Sequence, residues 1–545
     1  MAARSRRNVP AIVLAACAGA LGLGVQGWFL LRAPAPVSTD EGYMGAFALA
    51  LAHGRWLPYV DAVSQRGPVL YWFLGLCQWI FGLHGWVGLR VATWLCAALA
   101  LGALCLGGWA VRSPLGGAIA GVLHAWVHCM YLHPDAGIAM QGEVLAGPLV
   151  ALGYAVLAVG VLRCRPGPRR TAAYFASGLC CALAAASKQT AALLVAPALV
   201  WLLVALAAEG GPWRSRLAAI AAFLGGWALV PALILARYAA AGELDTLWYW
   251  TVTYNLVTYM DPYADKKGHR AMWTWFTDGA DKVVWVAAAC SAAGSLALAL
   301  RRARSRSLRA VLVALRAQGL LVCAGLGAMV AVASVAQTRR FWPHYWMLPL
   351  PLIALASGLS LAPAFDGGTR IGRQLARWVF VALVGGVTLG AAVDRVWLRE
   401  RERGRGHWAR LTRDPLCDVV ELHSAPGDSL FVWGFEPDLH VECQRRPASR
   451  YVFSVYLAGV VPPFWERPEP AWVARDARRL AVQDLEQNAP PVILDIVGSF
   501  GGFGIRKVPE LAALLARDYR SVGKKKGRGR QAEVFVRRSG GAAPR

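Results

Sequence analysis

From Pro10 to Trp397 the chain is a series of long apolar runs broken by short polar segments. A helix needs about 20 apolar residues to cross a hydrocarbon core of about 30 Å. Runs near 10–31, 86–110, 114–131, 143–162, 171–187, 190–208, 217–240, 282–300, 310–334, 344–362 and 378–397 meet that length and predict eleven spans. One apolar piece, Pro68–Phe81, is left over and is short for a crossing. Its aromatics, Tyr71, Trp72, Phe73, Trp79 and Phe81, suit a membrane interface, so it is expected as a juxtamembrane or re-entrant helix.

From Glu400 the pattern changes to that of a soluble domain. Strand-like runs occur at Ser429–Phe435, Val492–Val497 and Glu533–Arg537. Helix-like runs occur at Arg475–Gln487 and Val508–Tyr519. The expected organisation is a mainly α polytopic membrane domain over 1–399 and a small C-terminal α/β domain over 400–545. The run Gly523–Arg528 reads as a solvated basic turn that can touch anionic lipid.

Composition agrees with the membrane class. The 545 residues are 57% hydrophobic and only 16% charged, where a soluble domain carries about a quarter charged. The net charge of +25 does not call for nucleic acid. Most of the excess is Arg in short loops, as the positive-inside rule expects.

Those basic loops give an orientation. Arg4, Arg6 and Arg7 precede the first run, which is expected to be an uncleaved anchor rather than a signal peptide, with the N-terminus inside. The clusters at Arg163–Arg170, Arg214–Arg216, Arg301–Arg309 and Arg370–Arg377 then fall on the cytoplasmic face. Counting Pro68–Phe81 as a span would put the Arg163–Arg170 cluster outside. With eleven spans the C-terminal domain lies outside, in the periplasm of an inner-membrane protein. No internal repeat or matched pair of broken helices appears, which argues against a secondary transporter.

Ten of the twelve cysteines lie in or beside apolar segments and act there as small hydrophobes. No paired CxxC or spaced His supports zinc. Cys417 and Cys443 lie in the hydrophilic tail, where a disulfide is open to them if the compartment is oxidising.

The chemistry gathers in the predicted outer loops. The first contains Asp40-Glu41, then Gly54-Arg55-Trp56-Leu57-Pro58-Tyr59-Val60-Asp61, then Arg66-Gly67-Pro68-Val69-Leu70-Tyr71-Trp72. Adjacent acids just past a membrane exit can be helix-start residues favoured by the dipole. They can also supply a general base, because burial raises a carboxylate's proton affinity toward the working pH. The second loop carries Asp135 and Glu143, the hairpin at 187–190 carries Lys188, and the loop before the 344–362 span reads Arg339-Arg340-Phe341-Trp342-Pro343-His344-Tyr345. Segment 241–281 is aromatic and mixed in charge, fit for sugar rings, acyl chains or an interfacial helix.

The acid pair, the Gly-x-x-Pro-Tyr-x-Asp stretch and the basic residue before Gly-Pro-x-Leu-Tyr-Trp together resemble the GT-C membrane glycosyltransferases. The nearer relatives are the dolichyl-phosphate-mannose protein mannosyltransferases and the bacterial aminoarabinose transferases. Lys188-Gln189-Thr190, His344-Tyr345 with Pro349, Val432–Pro437 and Arg446–Tyr451 extend the resemblance through the chain. The second acidic loop departs from the commonest pattern.

The resemblance implies a GT-C helical bundle that moves a sugar, with inversion, from a polyprenyl-phosphate carrier to a lipid, glycan or protein acceptor. Asp40 would be the base and Glu41 its neighbour. Arg66, Lys188, Arg339, Arg340 and His344 would meet the donor phosphate. Glu143, Asp135, Tyr59, Asp61, Tyr345 and Arg450 would line the acceptor or sugar pocket, with a structural pairing as the alternative for Arg450. No metal ligand and no cofactor is assigned; a divalent cation stays open. A flippase of lipid-linked sugars is the alternative, using the same outer cations.

Overall fold

The computed structural model describes residues 39–82, 85–130, 140–259, 307–337, 343–366, 413–461 and 464–538, together with Ala20, Leu23 and Gly24. The expected spans at 282–300 and 378–397, and 10–31 apart from those three residues, lie outside the described residues. So do Asp135, Arg339, Arg340 and segment 260–281.

The protein is mainly helical, with a small sheet near its C-terminus. Five described helices are long and apolar enough to cross a membrane: Val87–Ala110, Gly142–Leu162, Gln189–Glu209, Trp213–Ala240 and Arg309–Gln337. Shorter helices occupy Pro114–Met130 and Leu350–Asp366. The leftover apolar piece is a helix over Pro68–Phe81, started by Pro68 in its first turn and closed by Gly82 at φ 122°. Proline suits that first position because its missing N–H has no helical partner there. This is a multi-pass membrane protein.

Two compact units divide the chain. One comprises Met1–Phe29, Thr93–Arg237 and Lys267–Leu398. The other comprises Leu30–Ala92, Tyr238–Lys266 and Arg399–Arg545, so the C-terminal tail shares a unit with the first polar loop and with part of segment 241–281.

In the first unit, small residues bring helix backbones together. A Cβ on Gly178 would lie 2.0 Å from the Phe223 carbonyl oxygen, and one on Gly226 2.0 Å from that of Phe175. Close backbone approach is how membrane helices gain dispersion contacts, since lipid supplies no hydrophobic drive between them. At one end of the bundle Glu209 pairs with both Arg170, at 2.5 Å, and Arg316, at 2.7 Å. At that same end Arg163 donates to the Ala110 carbonyl at 2.9 Å. Glu143 opens the helix Gly142–Leu162 and so stands at the opposite end.

In the second unit the sheet has the order β2-β1-β3-β5-β4. Strands β1 (Ser429–Trp433), β2 (Arg446–Pro447) and β3 (Val492–Ile496) are parallel. Strands β4 (Tyr519–Lys526) and β5 (Gln531–Arg537) run antiparallel to their neighbours. Central strands β1 and β3 are apolar runs buried along their whole length, as parallel strands covered on both faces require. Leu430, Val432, Val492, Leu494 and Val534 form the core with Leu416 and Val420. Cys417 and Cys443 are joined by a disulfide inside it.

One expectation changes. Lys524, Lys525 and Lys526 belong to edge strand β4, and the turn falls later, where Gly527 N–H meets the Arg530 carbonyl at 2.9 Å. Lysines on an exposed edge keep it from pairing with another chain, so they sit in a strand without a strand-like sequence.

Candidate active site

Helix Thr39–His53 carries both acids in its first turn. The Asp40 carboxylate is 37% exposed, and the Arg66 guanidinium stands 3.2 Å from it. Glu41 points the other way. It is 1% exposed and pairs at 3.3 Å with Arg90, itself 3% exposed. The adjacent acids thus have different environments: one reachable, one sealed inside an ion pair.

The loop after this helix is built to hold Arg66. Trp56 and Tyr59 adopt positive φ, at 56° and 68°, turning the chain sharply where non-glycine residues rarely do so. Asp61 accepts the Leu57 N–H at 2.7 Å and closes that turn. Asp61 thereby shapes the loop. Tyr59 is buried, and its hydroxyl donates to the Arg66 carbonyl at 2.5 Å. Arg66 N–H donates to Ser64 Oγ at 3.2 Å, and Ser64 shares a hydrogen bond with Tyr71. The guanidinium lies 5.4 Å from the Tyr43 ring centre, a cation–π distance. Burial works against the Arg66 charge. The Asp40 carboxylate, ahead of the Tyr71, Tyr43 and Tyr259 hydroxyls, more than offsets that and raises the guanidinium pKa well above its usual value. Arg66 is thus a fixed cation with a reachable carboxylate beside it.

Arg450 is taken up within the tail. Its guanidinium binds Asp484 through Nε and Nη2, the latter at 2.8 Å. This is a fork on a carboxylate, the structural pairing that is the alternative for Arg450. The Arg450 carbonyl accepts the Val63 N–H at 2.9 Å, which ties the tail to the loop.

The other unit holds a second constellation. Helix Pro168–Ser187 ends at Lys188, whose backbone is extended before a 3-10 turn, Gln189–Leu194. Lys188 Nζ reaches Glu143 Oε1 at 2.7 Å and sits 4.6 Å from the Tyr345 ring centre. His344 packs edge-on against Tyr345 at 4.8 Å. Four residues singled out in three separate loops therefore come together. Glu143 is 1% exposed, and a buried carboxylate needs such a partner.

Sequence reading missed Arg90, although a lone Arg inside an apolar span is itself a signal, since an intramembrane charge demands a partner. It also missed Gln65 and Tyr456, which carry no distinctive motif. Among the described residues no group of three or more His, Cys, Asp and Glu side chains is placed to hold a metal ion.

The fold is the GT-C fold of its solved structural neighbours. Among solved structures the chain is similar over nearly its full length to ArnT, the aminoarabinose transferase, from Cupriavidus metallidurans. The crystal structure of ArnT bound to undecaprenyl phosphate matches with a TM-score of 0.51 at 16% identity, covering 97% of this chain and 99% of that one. The apo form matches at 0.53 and 15%, covering 98% of each. The oligosaccharyltransferase AglB from Archaeoglobus fulgidus, in complex with an inhibitory peptide and a dolichol-phosphate, gives 0.49 at 12% identity over 90% of this chain and 69% of that one. No protein-family model and no curated protein sequence matches the chain.

Proposed function

We propose that this protein is an inverting glycosyltransferase that takes a sugar from a polyprenyl-phosphate carrier and gives it to a lipid, glycan or protein acceptor on the outer face of the inner membrane. The observation that carries the reading is the reachable Asp40 carboxylate beside the fixed Arg66 cation, at the head of the first described helix of a GT-C fold. ArnT, similar in fold, binds undecaprenyl phosphate, and a lipid-linked phosphate is the kind of group an Arg fork recognises.

In this mechanism the acceptor hydroxyl or amine attacks the sugar C1 from the face opposite the phosphate. The new C1–acceptor bond forms as the C1–O bond to phosphate breaks, which inverts C1. Asp40 takes the acceptor's proton. The polyprenyl phosphate leaves with the bonding pair, and Arg66 stabilises the charge that grows on its oxygens. Glu41, locked to Arg90, fixes the helix end rather than moving protons.

The test uses purified protein in detergent with a panel of polyprenyl-phosphate pentoses and hexoses and an envelope extract as acceptor. Release of polyprenyl phosphate that requires the acceptor supports the transferase. Movement of lipid-linked sugar across a vesicle membrane with no bond cleaved would favour the flippase instead.

A further inference from the structure

The tail does more than share a unit with the first loop. It grips the residue next to Arg66. The Tyr456 hydroxyl donates a short hydrogen bond to Gln65 Oε1. From another segment, Asn255 Nδ2 donates to the Gln65 carbonyl at 2.9 Å. The Tyr456 hydroxyl also lies 3.5 Å from that of Tyr43, the ring over which Arg66 rests. Gln65 is thus held by its side chain from the tail and by its backbone from the π-helix Tyr249–Thr258. Such π-helical segments are rare and frequent at functional sites.

The tail also presses on the helix that carries the acids. A Cβ on Gly42 would lie 2.7 Å from Asp438 Cβ, and one on Gly45 2.8 Å from Val441 Cγ2. Helix Asp438–Glu442 therefore rests directly on the first turns of helix Thr39–His53. Both partners of the Asp40–Arg66 pair are backed by tail residues 438–456.

We infer that Tyr456 is a positioning residue: through Gln65 it sets the Arg66 guanidinium at the distance from Asp40 that donor-phosphate binding requires. The inference rests on the transferase reading above. The physical reason is the tolerance of charge recognition: a displacement of about 1 Å at a positioned group can cost about a hundredfold. The C-terminal domain is then part of the active site's frame rather than an appended module. A purely structural Tyr456 would act through its ring, which packs 5.1 Å from Trp250 and 5.5 Å from Tyr254.

Tyr456→Phe separates the two roles, because it keeps the ring and removes the hydroxyl. Binding of undecaprenyl phosphate and the donor KM and kcat would be measured on the full-length protein in nanodiscs, alongside its melting temperature. The expected result is undecaprenyl phosphate binding and donor KM each weakened about tenfold, the size of one hydrogen bond to a buried partner, with kcat and melting temperature nearly unchanged. Gln65→Met should give the same shift, and the double variant no more than either alone. Wild-type binding and KM in Tyr456→Phe would overturn the inference while leaving the transferase reading intact. A wild-type protein that neither binds undecaprenyl phosphate nor releases it from any donor would overturn that reading, and the inference with it.

Discussion

Arg66 and Asp40, 26 residues apart in sequence, face each other at 3.2 Å across the two ends of the first polar loop. The pair is asymmetric: the carboxylate is more than a third exposed, while the guanidinium is mostly covered. The acid is therefore the more reachable partner of the two. Arg66 has more donors than one carboxylate oxygen uses, so it can keep Asp40 oriented while receiving a phosphate.

Removing the cation follows directly. Arg66→Ala is expected to lower kcat/KM for a polyprenyl-phosphate sugar by about a hundredfold or more, the usual effect of losing a charge-stabilising donor. Arg66→Lys should fall between, since an ammonium keeps the charge but not the planar fork. Initial rates of polyprenyl phosphate release check both.

The sealed pair Glu41–Arg90 predicts a stability effect instead. Glu41→Ala or Arg90→Ala leaves one buried charge alone, which costs about 3–5 kcal/mol. The double variant Glu41→Ala/Arg90→Ala should cost much less than the sum of the two single changes. Unfolding of the four proteins in mild detergent gives the coupling energy, and additive losses would show that the pair does not act as one.

The disulfide closes a loop of 26 residues in the tail core. Constraint of the unfolded chain at that length is worth about 3.5 kcal/mol. A Cys417→Ser/Cys443→Ser variant should melt earlier by a corresponding margin, and reducing agent should shift the native protein in the same direction. An unchanged melting temperature in both would show that the bond adds nothing.

Glu436 makes the tail pH-sensitive. Burial lifts its carboxyl to about 7 against the pull of Arg530, and Asp438 adds to the rise. The folded state then holds a proton that the unfolded chain has already released. Its contribution is complete below the unfolded value, near 4.5, and is lost as pH climbs through about 7. The melting temperature should fall between those limits. Glu436→Gln should remove that loss of stability, on the order of 3 kcal/mol across the window. A residual slope of the same sign is expected from Asp495, which burial raises to about 6.

Much of this was legible in the sequence. Helix Pro68–Phe81 has the bounds its composition set, because Pro opens and Gly closes it. Strands β1 and β3 announced themselves as short apolar runs. The likeness of the Asp40–Arg66 loop to GT-C enzymes rested on order and spacing, which survive in a single chain. What stayed hidden depends on partners brought from a distance. Nothing local says that Lys188 meets Glu143 or that Tyr456 meets Gln65. Nothing local names Asp484, 34 residues on, as the partner of Arg450. Strand β4 was invisible for a different reason: its lysines are chosen to protect an edge, not to fill a core.

The most direct measurement is the release of polyprenyl phosphate by the Asp40→Asn variant, purified and reconstituted beside the wild type. The account predicts that this variant binds undecaprenyl phosphate and melts like the wild type, yet transfers no sugar. Turnover at the wild-type rate would contradict it, since no proton acceptor would then be needed at that position.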